Sequence, residues 1–317
     1  MTGSTPTTPV NCDFDFDPSI IAGKTAIVTG GASGLGEAYT RALHAAKANV
    51  VIGDLNAKTG SALAASLPGS IFVETDVTNW ASQLRLFQRA EQEFRGVHYV
   101  VANAGIAPKD DVFAFSGPDT EPAEPDLRTI DVNIRGALYT AKLALHYAIK
   151  LNGTIPSPAQ VDTCLILIGS GAAFLDCPRG PQYQCSKWGM RGVMHALRRT
   201  AGFYGGRVNV LSPWYVRTNI LTQETFDAVE GVGVQMATTE DAGRALLRLL
   251  SDREINGKML FIAPRKWSSR GYIDLDIDDY AGTQFHGGKL LEEIQEDQIK
   301  PGPVSLGLFA GSVGGGR

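Results

Sequence analysis

The sequence predicts an α/β protein with a single-domain, doubly wound Rossmann fold: a seven-stranded parallel sheet with helices on both faces. Three observations predict it. Short apolar runs alternate with amphipathic stretches along most of the chain, the first run leads straight into a glycine cluster, and no change of composition marks a linker. Strands that alternate with helices pair in parallel through right-handed crossovers, which leaves both faces of the sheet covered.

In order, strand 25–28 precedes helix 35–46, strand 50–52 precedes helix 58–67, and strand 71–73 precedes helix 80–94. Strand 98–102 comes after them. A long helix over 127–150 carries Ile130, Ile134, Leu138, Ala141 and Leu145 at helical spacing. Strand 164–168, helix 183–203 and strand 208–211 come next, then helix 239–250 with Thr239 as its N-cap, and strand 259–262. Outside this rhythm lie a Thr/Pro/Asp-rich arm over 1–20, loops at 108–125 and 152–162, and an extension over 264–317 with a glycine-rich tail. Residues 21–263 form the single domain that carries this alternation.

At 317 residues and 44% hydrophobic, the chain is long enough to bury a large core. A net charge of -4 argues against nucleic acid, which needs a basic face. Cys12, Cys164, Cys177 and Cys185 have neither metal-ligand spacing nor the density of a disulfide scaffold, so reduced thiols and no metal are expected. The N-terminus lacks the basic-then-apolar order of a signal peptide, and no apolar run nears the roughly 20 residues that span a bilayer. A cytoplasmic protein without a membrane partner is expected.

The first strand runs into Thr29-Gly-Gly-Ala-Ser-Gly-Leu-Gly36. Gly30, Gly34 and Gly36 permit a tight turn, close approach to a pyrophosphate and close helix–strand packing, and the helix N-terminus adds free N–H groups. Ser33 and Leu35 belong to the same expected cofactor loop. A plain turn would explain the glycines alone; the strand before and the helix after favour a phosphate loop. The second strand ends at Asp54, followed by Leu55, and a carboxylate there accepts both adenosine ribose hydroxyls while repelling a 2′-phosphate. NAD is therefore the expected cofactor.

The ordered motifs resemble the short-chain dehydrogenase/reductase family over about residues 22–263. They are the Thr-Gly-x-x-x-Gly-x-Gly loop, Asp76-Val77, Asn103-Ala104-Gly105, Asn133, Ser170, Tyr183-x-x-x-Lys187, Pro213 and Thr218. The resemblance implies that Asp76 holds the adenine with Val77 beside it. It implies too that Asn103, Ala104 and Gly105 shape the turn beneath the cofactor, and that Pro213, Val216 and Thr218 lie at its nicotinamide and pyrophosphate. Taken singly, Asp76 could be a helix cap and the Asn103 motif a strand-ending turn.

Hydride chemistry needs a base for the hydroxyl proton, and free tyrosine, with a pKa of about 10, is a poor one. Tyr183 and Lys187 stand four apart on one helix face, so the cation favours phenolate. Ser170 offers a neutral donor to the substrate oxygen. By resemblance, Lys187 also binds the nicotinamide ribose, and Asn133 anchors a water that links Lys187 to solvent.

Trp214 stands where the family commonly has glycine, and it is read as a pocket wall or as outward packing. Cys185 is read as a small buried residue. Ala172, Phe174, Trp214 and Phe226 are the expected substrate pocket, with a mobile lid over 220–236 and a rim from 108–115 and 267–272. The expected reaction is NAD-linked oxidation of a hydrophobic secondary alcohol to a ketone, or its reverse. The pattern resembles family members acting on prostaglandin-, steroid- or polyketide-type alcohols, including those of fungal secondary metabolism. An NADP-linked ketone reductase and a non-redox cyclase or dehydratase are the alternatives, with a non-catalytic nucleotide sensor ranked last. The two long helices resemble those that pair across a two-fold axis in the family, which implies a homodimer or homotetramer.

Overall fold

The computed structural model describes residues 9–178 and 180–279. Among the described residues, eight strands form one sheet in the order β3-β2-β1-β4-β5-β6-β7-β8. They are β1 Thr25–Thr29, β2 Asn49–Asp54, β3 Ile71–Glu74, β4 Tyr99–Ala102, β5 Thr163–Ile168, β6 Gly206–Pro213, β7 Met259–Ile262 and β8 Tyr272–Asp274. Seven of them run parallel, as the alternation predicts. The eighth pairs antiparallel with β7, Phe261 opposite Ile273, so the extension adds an edge strand that no crossover helix announces.

The helices on the two faces are α1 Gly34–Ala45, α2 Ala57–Ser66, α3 Trp80–Phe94, α4 Arg128–Ile130, α5 Ala137–Asn152, α6 Pro181–Leu197, α7 Gln223–Gly231 and α8 Thr239–Ser251. Side-chain caps start several of them. Asn56, Asn79, Thr222 and Thr238 each accept a backbone N–H of the first turn, so α8 is capped by Thr238 rather than by Thr239. The inner strands are buried on both faces, the edge strands β3 and β8 only in part, and two apolar clusters result. One gathers Val28, Val50, Ile166, Leu246 and Leu260; the other gathers Ile27, Val51, Phe87, Leu165 and Met194.

The long helix over 127–150 is not uniform. Between α4 and α5 lies a π-helical segment, Asp131–Gly136. A π turn inserts an extra residue and rotates everything beyond it, so the stripe that begins at Ile130 loses its phase. Leu138 is consequently 46% exposed while Ala137 and Ala144 face the core instead, and Ala141 of the predicted stripe stays buried. The predicted helix 183–203 ends at Leu197 and gives way to a 3-10 turn over Ala201–Tyr204.

Both termini of the described chain are fastened. Val10 N donates to Asp274 Oδ2 at 2.9 Å, and the 3-10 turn Pro18–Ile21 buries Ile21. Of the described residues of the predicted arm, Val10 is tied to the edge strand β8 and Cys12 is buried; residues 1–8 and the glycine-rich tail lie outside the described residues. Among the described residues, no helix is long and apolar enough to cross a membrane, and no group of three His, Cys, Asp or Glu could hold a metal ion.

Candidate active site

The strand order reverses between β1 and β4, and a crevice opens at such a switch point above the carboxyl ends of the strands. A cleft of about 1900 Å³ occupies that place. Its floor is made by residues at or just beyond the strand ends: Gly30 after β1, Asp54 at the end of β2, Asp76 after β3, Asn103 after β4, Ser170 after β5 and Pro213 at the end of β6.

The nucleotide end is shaped by glycines. Gly30 has φ +61°, and a Cβ there would lie 2.8 Å from Ala104 Cα. A Cβ on Gly36 would stand 1.9 Å from Gly30 O and 2.6 Å from Asn103 Nδ2, so the first turn of α1 passes its own loop at a distance only glycine allows. Ser33 begins α1 without using its side chain as a cap, which leaves the first-turn N–H groups directed at the cleft. Asn103 Nδ2 donates to Thr29 O and Gly30 O, each at 3.0 Å, and Thr29 Oγ1 accepts from Asn103 N at 3.1 Å. The Asn103-Ala104-Gly105 turn thus braces the glycine loop from beneath.

Asp54 is also tied to the loop. Its Oδ2 accepts from Ala32 N and its Oδ1 from Asn56 N, both at 2.9 Å, which fixes the carboxylate at the cleft wall with lone pairs to spare. Leu55, 69% exposed, forms the rim beside it. Asp76 accepts Thr78 N and Thr78 Oγ1 on a single oxygen, at 2.8 and 2.7 Å. It does not cap α3, since Asn79 does that. Val77 packs against Gly136, while Val216 and Thr218 line the opposite wall, Thr218 Cβ lying 3.1 Å from where a Gly34 Cβ would be. A glycine cradle, free helix N–H groups and a carboxylate one strand away fit a nicotinamide dinucleotide.

At the other end, α6 starts at Pro181 and carries Tyr183 and Lys187 one turn apart. Lys187 Nζ lies 5.4 Å from the centre of the Tyr183 ring and donates to Ile168 O at 3.1 Å. Burial pushes the ammonium down from its ordinary 10.5 to about 8. Burial likewise pushes the Tyr183 phenol up, against an opposing hydrogen bond with Ser170. Ser170 Oγ also accepts Ala172 N at 3.2 Å and so caps the 3-10 turn Gly171–Ala173.

Asn133 sits inside the π-helical segment. Its Oδ1 accepts Ile106 N at 2.8 Å, and its Nδ2 donates to Ile106 O at 2.9 Å and Ser186 Oγ at 3.1 Å. A Cβ on Gly105 would lie 3.3 Å from Asn133 Oδ1 and 3.6 Å from Lys187 Nζ, so the two side chains flank that glycine. The π turn is what brings Asn133 there, and no residue pattern announces it.

Lys187 gives a prediction about stability. The unfolded side chain keeps its proton up to about 10.5, and the folded one up to about 8. The unfolded chain therefore binds more protons between those values, and stability rises with pH across that window. Below it, the burial penalty is on the order of 3 kcal/mol. Lys187→Met in the cofactor-free protein is expected to raise stability toward urea at pH 7 and to bring little change at pH 11. Lower stability at pH 7 would contradict the assignment.

The pocket expectations divide. Ala172, Trp214 and Phe226 line the cleft, with Leu175, Ile220 and Leu221. Phe174 does not: the capped 3-10 turn directs it inward, edge-on to Phe261 at 5.3 Å. Trp267 packs behind Trp214 at 5.4 Å and Tyr272 is fully buried, so 267–272 backs the wall rather than forming a rim. Pro108 to Asp111, with Phe113 and Ala114, do reach the mouth. Cys185, expected to be buried, is exposed on the outer face of α6.

Asp110, within the expected rim, has a second role that no local pattern announces. Its Oδ2 accepts Gln182 N at 2.7 Å, so it caps α6 from the 108–125 loop. The signal was negative: Gly180-Pro181 begins a helix with no capping side chain of its own.

The family model described as short chain dehydrogenase matches residues 24–228. The chain belongs to that family. The 5′-hydroxyaverantin dehydrogenase of Dothistroma septosporum is 31% identical over 86% of this chain and 94% of its own length. An NADP-dependent dehydrogenase of Phoma sp. is 30% identical over 89% of this chain and 87% of its own. Among solved structures, the 3-hydroxyacyl-CoA dehydrogenase type-2 of Mycobacterium avium superposes with TM-score 0.65 at 32% identity, covering 75% of this chain and 94% of that one. This short-chain dehydrogenase is accordingly an oxidoreductase that uses a nicotinamide cofactor, with relatives in fungal secondary metabolism.

Proposed function

We propose that this short-chain dehydrogenase oxidises a hydrophobic secondary alcohol to the ketone with NAD, and that Tyr183 is its general base. The observation that carries the reading is the placement of Ser170, Tyr183 and Lys187 together at one end of the cleft whose other end is the glycine loop. The bound nicotinamide supplies the hydride acceptor. Tyr183 takes the hydroxyl proton, Ser170 donates to the same oxygen, and the Lys187 cation, 5.4 Å from the centre of the phenol ring, is placed to counter the upward pull of burial. Trp214, Leu175, Leu221 and Phe226 make the substrate wall apolar, in keeping with a bulky, poorly hydrated alcohol.

Asp54 supports NAD, because a 2′-phosphate would meet a carboxylate already fixed in place by Ala32 N. NADH is expected to bind about 100-fold more tightly than NADPH, as a like-charge contact costs several kcal/mol. Asp54→Ala should narrow that ratio, as read by nicotinamide fluorescence. Tighter NADPH binding by the unmodified protein would reverse the cofactor assignment. A panel of hydrophobic secondary alcohols, followed by nicotinamide absorbance, tests the reaction; product formed with no change in that absorbance would reject it. The outward Leu138 of α5 and Trp188 of α6, 46% and 47% exposed, support the homodimer or homotetramer reading.

A further inference from the structure

The helix that carries Tyr183 and Lys187 continues the same spacing to Arg191 and His195, so the four side chains descend one face. The third of them joins the turn after β5 to the segment after β8, strands that β6 and β7 separate in the sheet. Arg191 Nη1 donates to Ala173 O at 3.1 Å, at the end of the 3-10 turn that Ser170 caps. The rest of the guanidinium faces the extension: Nε and Nη2 each lie 2.9 Å from Asp278 Oδ1, and Nη2 donates to Ile277 O at 3.1 Å. The pair is withdrawn from water, with side-chain exposures of 13% for Arg191 and 4% for Asp278.

The last described residues of the extension make further contacts around this point. His195 Nε2 meets Asp278 Oδ1 at 3.1 Å, Arg198 Nη2 donates to Asp278 O at 3.0 Å, and Arg198 Nη1 contacts Asp279 Oδ1 at 3.0 Å. Lys258 Nζ reaches Asp279 Oδ2 at 2.5 Å and Asp276 Oδ1 at 3.3 Å. A buried ion pair is an inefficient way to add stability, since well-packed apolar groups do as well or better. What an apolar pair could not do is hold a main-chain carbonyl. The planar fork of Arg191 reaches that carbonyl and the carboxylate at once, which a lysine ammonium cannot reproduce.

We propose that Arg191 is a positioning residue for the hydride-transfer reaction. It fixes the Ser170–Ala173 turn against the Tyr183 helix, and Asp278 of the C-terminal extension is the counter-ion that orients it. The turn is then tied twice, Ser170 Oγ accepting Ala172 N and Ala173 O accepting Arg191 Nη1. The inference rests on the roles proposed above for Ser170 and Tyr183.

The test uses the full-length protein, α-tetralol as the alcohol probe and NAD as the cofactor. Arg191→Met is expected to lower kcat by about 100-fold, the scale of a misplaced donor, with NADH affinity by fluorescence unchanged. The primary deuterium isotope effect on kcat should rise, and millimolar guanidinium should restore part of the rate. Arg191→Lys should fall between the two. If Arg191→Met proves insoluble, Asp278→Asn, which keeps the shape, should lower kcat about tenfold with the same unchanged NADH affinity. A lower Tm with kcat and KM intact would overturn the proposal, as would NADH affinity falling in step with kcat. Tyr183→Phe run in parallel separates the two failures. An active Tyr183→Phe removes the underlying reading, whereas an inactive one beside a fully active Arg191→Met removes the positioning role alone.

Discussion

Tyr183→Phe is expected to lower kcat for alcohol oxidation by about 1000-fold, within the range of general acid–base catalysis, while NADH affinity stays nearly unchanged. The substitution removes one oxygen and keeps the ring, so the 5.4 Å approach of Lys187 Nζ to the ring centre survives. What disappears is the group that receives the proton. Burial has already raised the Tyr183 phenol, and Ser170 gives back only part of that shift. The remaining correction must come from positive charge close to the phenol, and Lys187 is placed to give it. Rapid-mixing absorbance with enzyme in excess checks the result: the single-turnover rate should fall with kcat. A variant that turns over at the original rate would take Tyr183 out of the mechanism.

Gly36→Ala is the second large effect, and it acts on the other half of the site. The added methyl would stand 1.9 Å from Gly30 O and 2.6 Å from Asn103 Nδ2. Neither neighbour can yield cheaply, because Gly30 O and Asn103 Nδ2 are hydrogen-bonded to each other at 3.0 Å. Either α1 moves away from the loop or the loop flattens, and both spoil the surface offered to the pyrophosphate. Overpacking of this kind costs about 1–3 kcal/mol of stability, and more where backbone has to shift. We expect NADH affinity to fall by at least about 100-fold, read by fluorescence titration, with a measurable drop in Tm. Gly192→Ala is the control for the loop: nothing of the chain lies within 4 Å of a Cβ there, so NADH affinity should not change. If Gly36→Ala binds NADH normally, the loop is not the pyrophosphate site.

Much of the site is legible in the sequence because its chemistry is local in the chain. Gly30, Gly34 and Gly36 fall within seven residues, and Tyr183 and Lys187 on one helical face. The strand ends that carry Asp54, Asn103 and Ser170 are marked by apolar runs stopping at polar residues. Features set by long-range contact are not legible. Phe174 reads as a pocket wall because it is apolar and comes soon after Ser170, yet Phe261, far along the chain, draws it inward. Cys185 reads as buried from its small size, whereas its position on α6 turns it to the outer face. The cap of α6 comes from Asp110, 72 residues away, and no local pattern encodes that.

The sequence by itself determined the parallel sheet, the crossover helices, the glycine loop and the Tyr183–Lys187 pair, since each arises from spacing along a strand or a helix. Tertiary structure alone decided the eighth, antiparallel strand and the π turn that delivers Asn133 to Gly105. It also decided the fastening of the C-terminal extension to α6 through Arg191 and Asp278. The physical reason is one of range. Hydrophobic periodicity and backbone freedom act between near neighbours, whereas a buried carboxylate or a carbonyl seeking a donor is satisfied by whatever the folded chain brings to it.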